Sequence, residues 1–212
     1  MTTYWCELAW LGDLGGHVEH GVTITVEGDR ISAVSVGVAA PSADVRRLDG
    51  LTLPGIANAH SHAFHRALRG RTHGETGSFW TWRDRMYALA DRLDPDSYRA
   101  LATATFAEMV LAGFTCVGEF HYLHHDRGGA SYAQPNEMGQ ILLDAAVAAG
   151  IRITLLDTCY LRAGFTTDSV LNRTQRRFAD KDADAWAGRV GGLVDTATAK
   201  MGAAIHSVRS VD

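Results

Sequence analysis

Leu53-Pro54-Gly55-Ile56-Ala57-Asn58-Ala59-His60-Ser61-His62 is a short apolar run that breaks off into His-x-His. Residues two apart on a strand project from the same face, so His60 and His62 at its end converge on one point. Neutral imidazole is a good ligand for zinc or iron, and a catalytic metal also needs further protein ligands and a position open to water. His60 and His62 are therefore candidate metal ligands, an incomplete pair. On the two residues alone, a solvated strand end remains the competing reading.

Downstream, the chain alternates between strand and helix patterns. A strand is expected over 51–59, with helices around 79–93 and over 95–112. The second of these has Asp94 at its N-cap and stops at Gly113. Then follow a strand at 115–122, a helix at 136–149 closed by Gly150, a strand at 151–160, a helix at 183–198 and a strand at 203–208. This order predicts an α/β fold with a parallel sheet and right-handed crossovers, either doubly wound or the first four units of a (β/α)8 barrel. The weakly patterned stretches 127–134 and 163–181 follow the second and third strands, where such folds build their sites.

Upstream, residues 1–50 read differently. Val22-Thr23-Ile24-Thr25-Val26 alternates, Glu27-Gly28-Asp29-Arg30 turns, and Ile31-Ser32-Ala33-Val34 alternates again, the pattern of a hairpin. The expected division is a small β-rich subdomain over 1–50 and a βα series over 51–212.

Composition narrows the function classes. A net charge of −4 offers no basic surface for a phosphate backbone, so nucleic acid is not an expected partner. No apolar stretch approaches bilayer length and no secretory leader pattern opens the chain, so a cytoplasmic location without membrane attachment is expected. Cys6, Cys116 and Cys159 are far apart and lack CxxC spacing, which predicts reduced thiols and no cysteine metal site. The glycines show no phosphate-loop spacing. Histidine is the informative residue: seven of the ten are His60, His62 and His65, then His121, His124 and His125, then His206.

Four strings carry more information than His-x-His. They are Asn58 to Arg66 (NAHSHAFHR), Ser78 to Tyr87 (SFWTWRDRMY), Gly118 to His125 (GEFHYLHH) and Ala204 to Val211 (AIHSVRSV). Together they resemble the formimidoylglutamate deiminases, metal-dependent hydrolases of the amidohydrolase superfamily that act in histidine degradation. The resemblance runs from about residue 53 onward. It implies the N-terminal half of a (β/α)8 TIM-like barrel preceded by a small β-rich subdomain. It also implies one divalent metal, zinc in most members, and hydrolysis of N-formimino-L-glutamate to N-formyl-L-glutamate and ammonia.

Carried over residue by residue, the resemblance gives His60 and His62 to the metal, and His65, Arg83, Tyr122, His206 and Arg209 to a small dicarboxylate substrate. Arginine suits carboxylates because its planar fork makes two charge-assisted hydrogen bonds at once. Each assignment has an ordinary competitor: a solvated helix arginine for Arg83, a core aromatic for Tyr122, a third metal ligand for His206. His65 stands where the family commonly carries glutamine. His121, His124 and His125 are weaker candidates: one or two could contact the pocket, but a cluster at a loop start is more often solvated or structural. The family's remaining ligands and its proton-transfer groups are expected beyond residue 212, so the chain alone is expected to be inactive, and homodimerisation of a full-length parent stays open. Other deaminases of the superfamily, chlorohydrolases, and a non-catalytic half-barrel that binds or assembles are the alternatives.

Overall fold

The computed structural model describes residues 1–12, 16–41, 45–72, 77–166 and 169–211. Residues 167–168 of the loop expected over 163–181 lie outside the described part. Two compact units divide after Gly55.

The first unit is a four-stranded sheet in the order β3-β2-β1-β4, built from β1 (Thr2–Trp10), β2 (Val18–Glu27), β3 (Arg30–Ser35) and β4 (Arg46–Thr52). The expected hairpin is β2–β3, with Glu27 paired to Arg30 across the turn, while β4 runs parallel to β1. Its small core is Cys6, Ala9 and Val22, with Ile24 against them.

The second unit carries β5 (Ile56–Ser61), β6 (Phe114–His121), β7 (Arg152–Cys159) and β8 (Ala199–Ile205) in one parallel sheet of order β5-β6-β7-β8. That order settles the alternative left by the sequence. A doubly wound sheet reverses direction at a switch point, whereas strands laid down in chain order, each beside the last, give the singly wound arrangement of a (β/α)8 barrel. Helices α1 (Phe79–Ala90), α2 (Pro95–Leu111), α3 (Glu137–Ala149) and α4 (Ala183–Val190) connect the strands. The start of α2 is fixed by a reciprocal cap between Asp94 and Ser97 with Pro95 at the first position, and that of α1 by the same device between Ser78 and Thr81. The core runs through Phe64, Tyr98, Phe106, Leu142 and Leu155. No described helix is long and apolar enough to cross a membrane.

Several boundaries differ from expectation. The strand expected over 51–59 is two strands in two sheets: Leu51 and Thr52 finish β4, and β5 starts at Ile56. Pro54 lies between them and cannot donate to a ladder. Helix α4 stops at Val190, before Gly191 and Gly192, and not at residue 198. β8 consequently begins at Ala199, paired with Ile153, and ends before His206. A 3-10 helix over Ala63–Leu68 follows β5 directly, a feature the sequence reading lacked.

Candidate metal and substrate site

The C-terminal ends of β5, β6, β7 and β8 meet at one cavity of about 390 Å³. At its base, His60 Nε2 and His62 Nε2 lie 3.1 Å apart. Two nitrogens on one tetrahedral zinc stand about 3.3 Å apart, given Zn–N bonds near 2.0–2.1 Å. The pair therefore fits a divalent ion without rearranging the backbone. The tautomer of His62 also follows, because its Nδ1 lies 3.1 Å from the Phe120 carbonyl oxygen. A carbonyl only accepts, so Nδ1 carries the proton and the Nε2 lone pair is left for a ligand bond, as metal-binding imidazoles are usually oriented. Burial pushes the pKa of His62 down from its ordinary value, favouring the neutral form.

All five residues assigned to substrate by the sequence line the same cavity: His65, Arg83, Tyr122, His206 and Arg209. Tyr122 is buried in the centre, its hydroxyl 2.6 Å from His65 Nε2, with its ring 5.6 Å from that of His62 and 5.0 Å from that of His206. Tyr122 is a core aromatic with a bonded hydroxyl, as its competitor had it, and also lines the cavity, while Arg83 is half-buried and not fully solvated. Arg83 stacks on Trp80 at 4.5 Å and on Tyr87 at 5.4 Å, and its Nε is buried without a hydrogen-bond partner among the described residues. His206 caps β8, its backbone N–H donating to the Cys159 carbonyl at 3.2 Å, and its buried Nδ1 is likewise unpartnered.

The environment also sets protonation. Burial, reinforced by the neighbouring His62, His60 and His206, pushes His65 down to about 3. At neutral pH its imidazole is uncharged, with one donor and one acceptor, the same inventory glutamine offers. The same cause, burial first and then His62 and Arg209, holds His206 at about 4.

Residues the sequence reading missed complete the wall. Arg162 adds a third guanidinium, and Gln175 donates to the Tyr160 hydroxyl at 2.9 Å. They sit in or beside the weakly patterned stretch 163–181, which carries no motif of its own. Glu119, also missed, lies beneath the site with 1% exposure; its Oε1 accepts the Ala63 N–H at 2.6 Å. Burial raises its pKa to about 7, against the hydrogen bonds from Ser61 and Ala63. The signal was present: a lone glutamate inside an otherwise apolar strand.

The second histidine cluster is buried and forms a separate network. Donor atoms of His121, His124 and Asp157 lie within 4.8 Å of one another, a grouping that resembles a metal site among the described residues. The Asp157 carboxylate, however, is forked by Arg189 at 2.9 Å and also accepts from Trp186 Nε1 at 3.0 Å. A guanidinium already supplies the positive charge there. Arg189 also bonds Asp180, which His125 reaches at 3.2 Å. All three histidines are buried, so the solvated reading does not hold, and none of them lines the cavity of His60 and His62.

Residues 51–208 match the Amidohydrolase family. The chain belongs to the amidohydrolase family. It is 42% identical over 171 residues to a formimidoylglutamate deiminase of Pseudomonas aeruginosa, an alignment covering 78% of this chain and 37% of that protein. Over 127 residues it is 28% identical to a 5'-deoxyadenosine deaminase of Methanothrix thermoacetophila, covering 58% of this chain and 29% of that one. Among solved structures, an amidohydrolase from Brucella melitensis superposes with a TM-score of 0.85 at 34% identity, over all of this chain and 47% of that one. The atrazine chlorohydrolase of Arthrobacter aurescens, solved in complex with zinc, shares the fold at a TM-score of 0.78 and 20% identity. This amidohydrolase chain thus spans about half the length of the solved structures it matches, and less of the sequence relatives.

Proposed function

We propose that this chain forms the N-terminal half of a metal-dependent, cytoplasmic deiminase of histidine degradation. The reaction is hydrolysis of N-formimino-L-glutamate to N-formyl-L-glutamate and ammonia. The observation that carries the reading is the composition of one cavity: two imidazole nitrogens 3.1 Å apart at its base, and Arg83, Arg162 and Arg209 on its walls. Imidazoles suit zinc, and guanidinium groups suit the two carboxylates of the substrate.

His60 and His62 hold the metal in this reading. A divalent ion bound there supplies the Lewis acidity that makes water a nucleophile near neutral pH. Water oxygen bonds to the amidine carbon, the carbon–nitrogen bond to the departing group breaks, and that nitrogen leaves as ammonia with the protons it gains. This chain's own residues bind and orient. Arg83 and Arg209 pair with carboxylates, while Tyr122, His65 and His206 present neutral donors and acceptors beside the reacting group. Groups that move protons come from the remainder of the barrel. Deaminases of purine nucleosides are the second reading, favoured by the 5'-deoxyadenosine deaminase likeness. A neutral purine ring offers no carboxylate to Arg83 and Arg209, so the dicarboxylate is the first reading.

The test is zinc analysis and ammonia release in the protein expressed from its full reading frame, with N-formimino-L-glutamate and 5'-deoxyadenosine as competing substrates. About one zinc per chain and turnover of the formimino compound alone are expected. Absence of metal, or preference for the nucleoside, overturns the reading.

A further inference from the structure

The His-x-His hook holds its shape where the sheet gives it no regular ladder. Asn58 pairs with Val117 and Ser61 with Glu119, so two residues of β5 stand opposite the single Gly118 of β6. That count is a β-bulge, a device that re-aims side chains. Gly118 permits it, since a Cβ there would meet the Ala59 carbonyl oxygen at 3.3 Å. His60 sits in the bulge with no paired residue on β6, and its backbone N–H donates to Asn58 Oδ1 at 3.2 Å. Something beyond the bulge has to fix the chain on the far side of His62.

Glu119 is placed to do this. It is the residue directly after the bulge, paired with Ser61 across the sheet, and its Oε1 accepts the Ala63 N–H at 2.6 Å. The adjacent Phe120 carbonyl fixes the His62 ring from the same strand. Glu119 has no ion pair among the described residues, and its Oε2 is buried without a partner. Burying a carboxyl in that state costs stability, and an apolar side chain of similar size would avoid the cost. An apolar residue there would, however, leave the Ala63 N–H without its acceptor, so the role of the glutamate lies in holding that N–H.

We propose that Glu119 is a positioning residue for the metal-binding pair, its carboxyl anchoring the backbone directly after His62 so that His60 and His62 keep their Nε2 atoms on one point. The inference rests on the metal reading of those histidines given above. The Glu119 carboxyl touches neither metal nor substrate, and it acts through Ala63.

The test compares Glu119→Ala, Glu119→Asp and Glu119→Gln in the protein from its full reading frame. Zinc dissociation constants come from competition with a chromophoric chelator, and thermal midpoints from circular dichroism. Alanine removes the acceptor, and aspartate withdraws it by one methylene. In whichever of the two is folded, zinc binding is expected to weaken by about tenfold or more, the usual cost of losing a group that orients a ligand. Glutamine keeps an acceptor oxygen for the Ala63 N–H and is expected to bind zinc nearly as tightly as the parent. A folded alanine or aspartate variant with parental affinity overturns the positioning role, as does a glutamine variant as weak as alanine. A parent that binds no zinc overturns the metal reading itself, a result separable from either.

Discussion

His65 and Tyr122 share one short contact, and what it does depends on charge. A protonated imidazole in this cavity would sit against His62, His60 and His206 and repel any ion bound between them. Burial prevents that by keeping His65 neutral, which makes its hydrogen-bonding ability equivalent to that of an amide. His65→Gln is therefore expected to retain activity, whereas His65→Leu leaves the buried Tyr122 hydroxyl only its weak bond to Met86 Sδ, at a cost of about 1–3 kcal/mol. Steady-state kinetics of both variants decide it, and an inactive glutamine variant sinks the equivalence. Arg83 offers a sharper test because its packing and its charge separate. Arg83→Met keeps a chain against Trp80 and Tyr87 but loses the fork. KM for N-formimino-L-glutamate should rise by roughly 10–100-fold, the worth of hydrogen bonds to a charged group. An unchanged KM removes Arg83 from substrate binding. The sequence disclosed these residues because each sits in a distinctive string. Arg162 and Gln175 were invisible, since a loop residue enters a site through the path of its loop, which local pattern does not encode.

At the scale of elements, glycine position illustrates what pattern reading captures. Gly150 closes α3 in the left-handed region at φ 78°, with open space where a Cβ would go. The sequence marked it as a helix stop for that conformational reason. Gly21 carries no such mark, lying inside the alternating run of β2. Yet it has φ 60°, and a Cβ there would fall 2.3 Å from the Val38 carbonyl oxygen. Gly150→Ala should cost about 1–2 kcal/mol, the price of a left-handed non-glycine residue. Gly21→Ala adds a backbone collision to the same strain and should cost clearly more. Urea denaturation of both variants, followed by circular dichroism, checks the order, and equal midpoints would contradict it. The split of the expected strand 51–59 has the same root. The stretch from Leu51 to Ala59 is mostly apolar, and only Pro54-Gly55 signals that the chain is leaving one sheet for another.

For the whole molecule, the decisive feature of the fold was legible as a sum of units, each strand and helix read separately, while the closing of the cavity depended on strand order. That order brings six buried or half-buried histidines and a glutamate to one end of the sheet, with consequences for stability against pH. His124 is held at about 4 and His121 well below its ordinary 6.5, burial being the first cause in both. His65, at about 3, and His206, at about 4, behave alike. Below pH 6.5 the unfolded chain takes up protons that the folded chain refuses, so the stability these groups contribute above 6.5 is lost as pH falls toward 4. Glu119 has the opposite sign. Its proton is kept in the folded state up to about 7 but shed at the ordinary 4.5 in the unfolded one, so its contribution is full below 4.5 and lost as pH rises through 7. Between 4.5 and 6.5 several histidines oppose one glutamate, and each net proton changes the slope by about 1.4 kcal/mol per pH unit. The histidines win, and metal-free protein should lose stability steadily on acidification across that window. Replacing Glu119 with glutamine removes the opposing contribution and should steepen the decline. Urea midpoints at pH 6.5, 5.5 and 4.5 for parent and variant read both slopes directly. A flat or rising parental profile toward acid would mean that the buried imidazoles are protonated in the folded state, which the Phe120 and Thr158 carbonyls beside His62 and His124 cannot by themselves enforce.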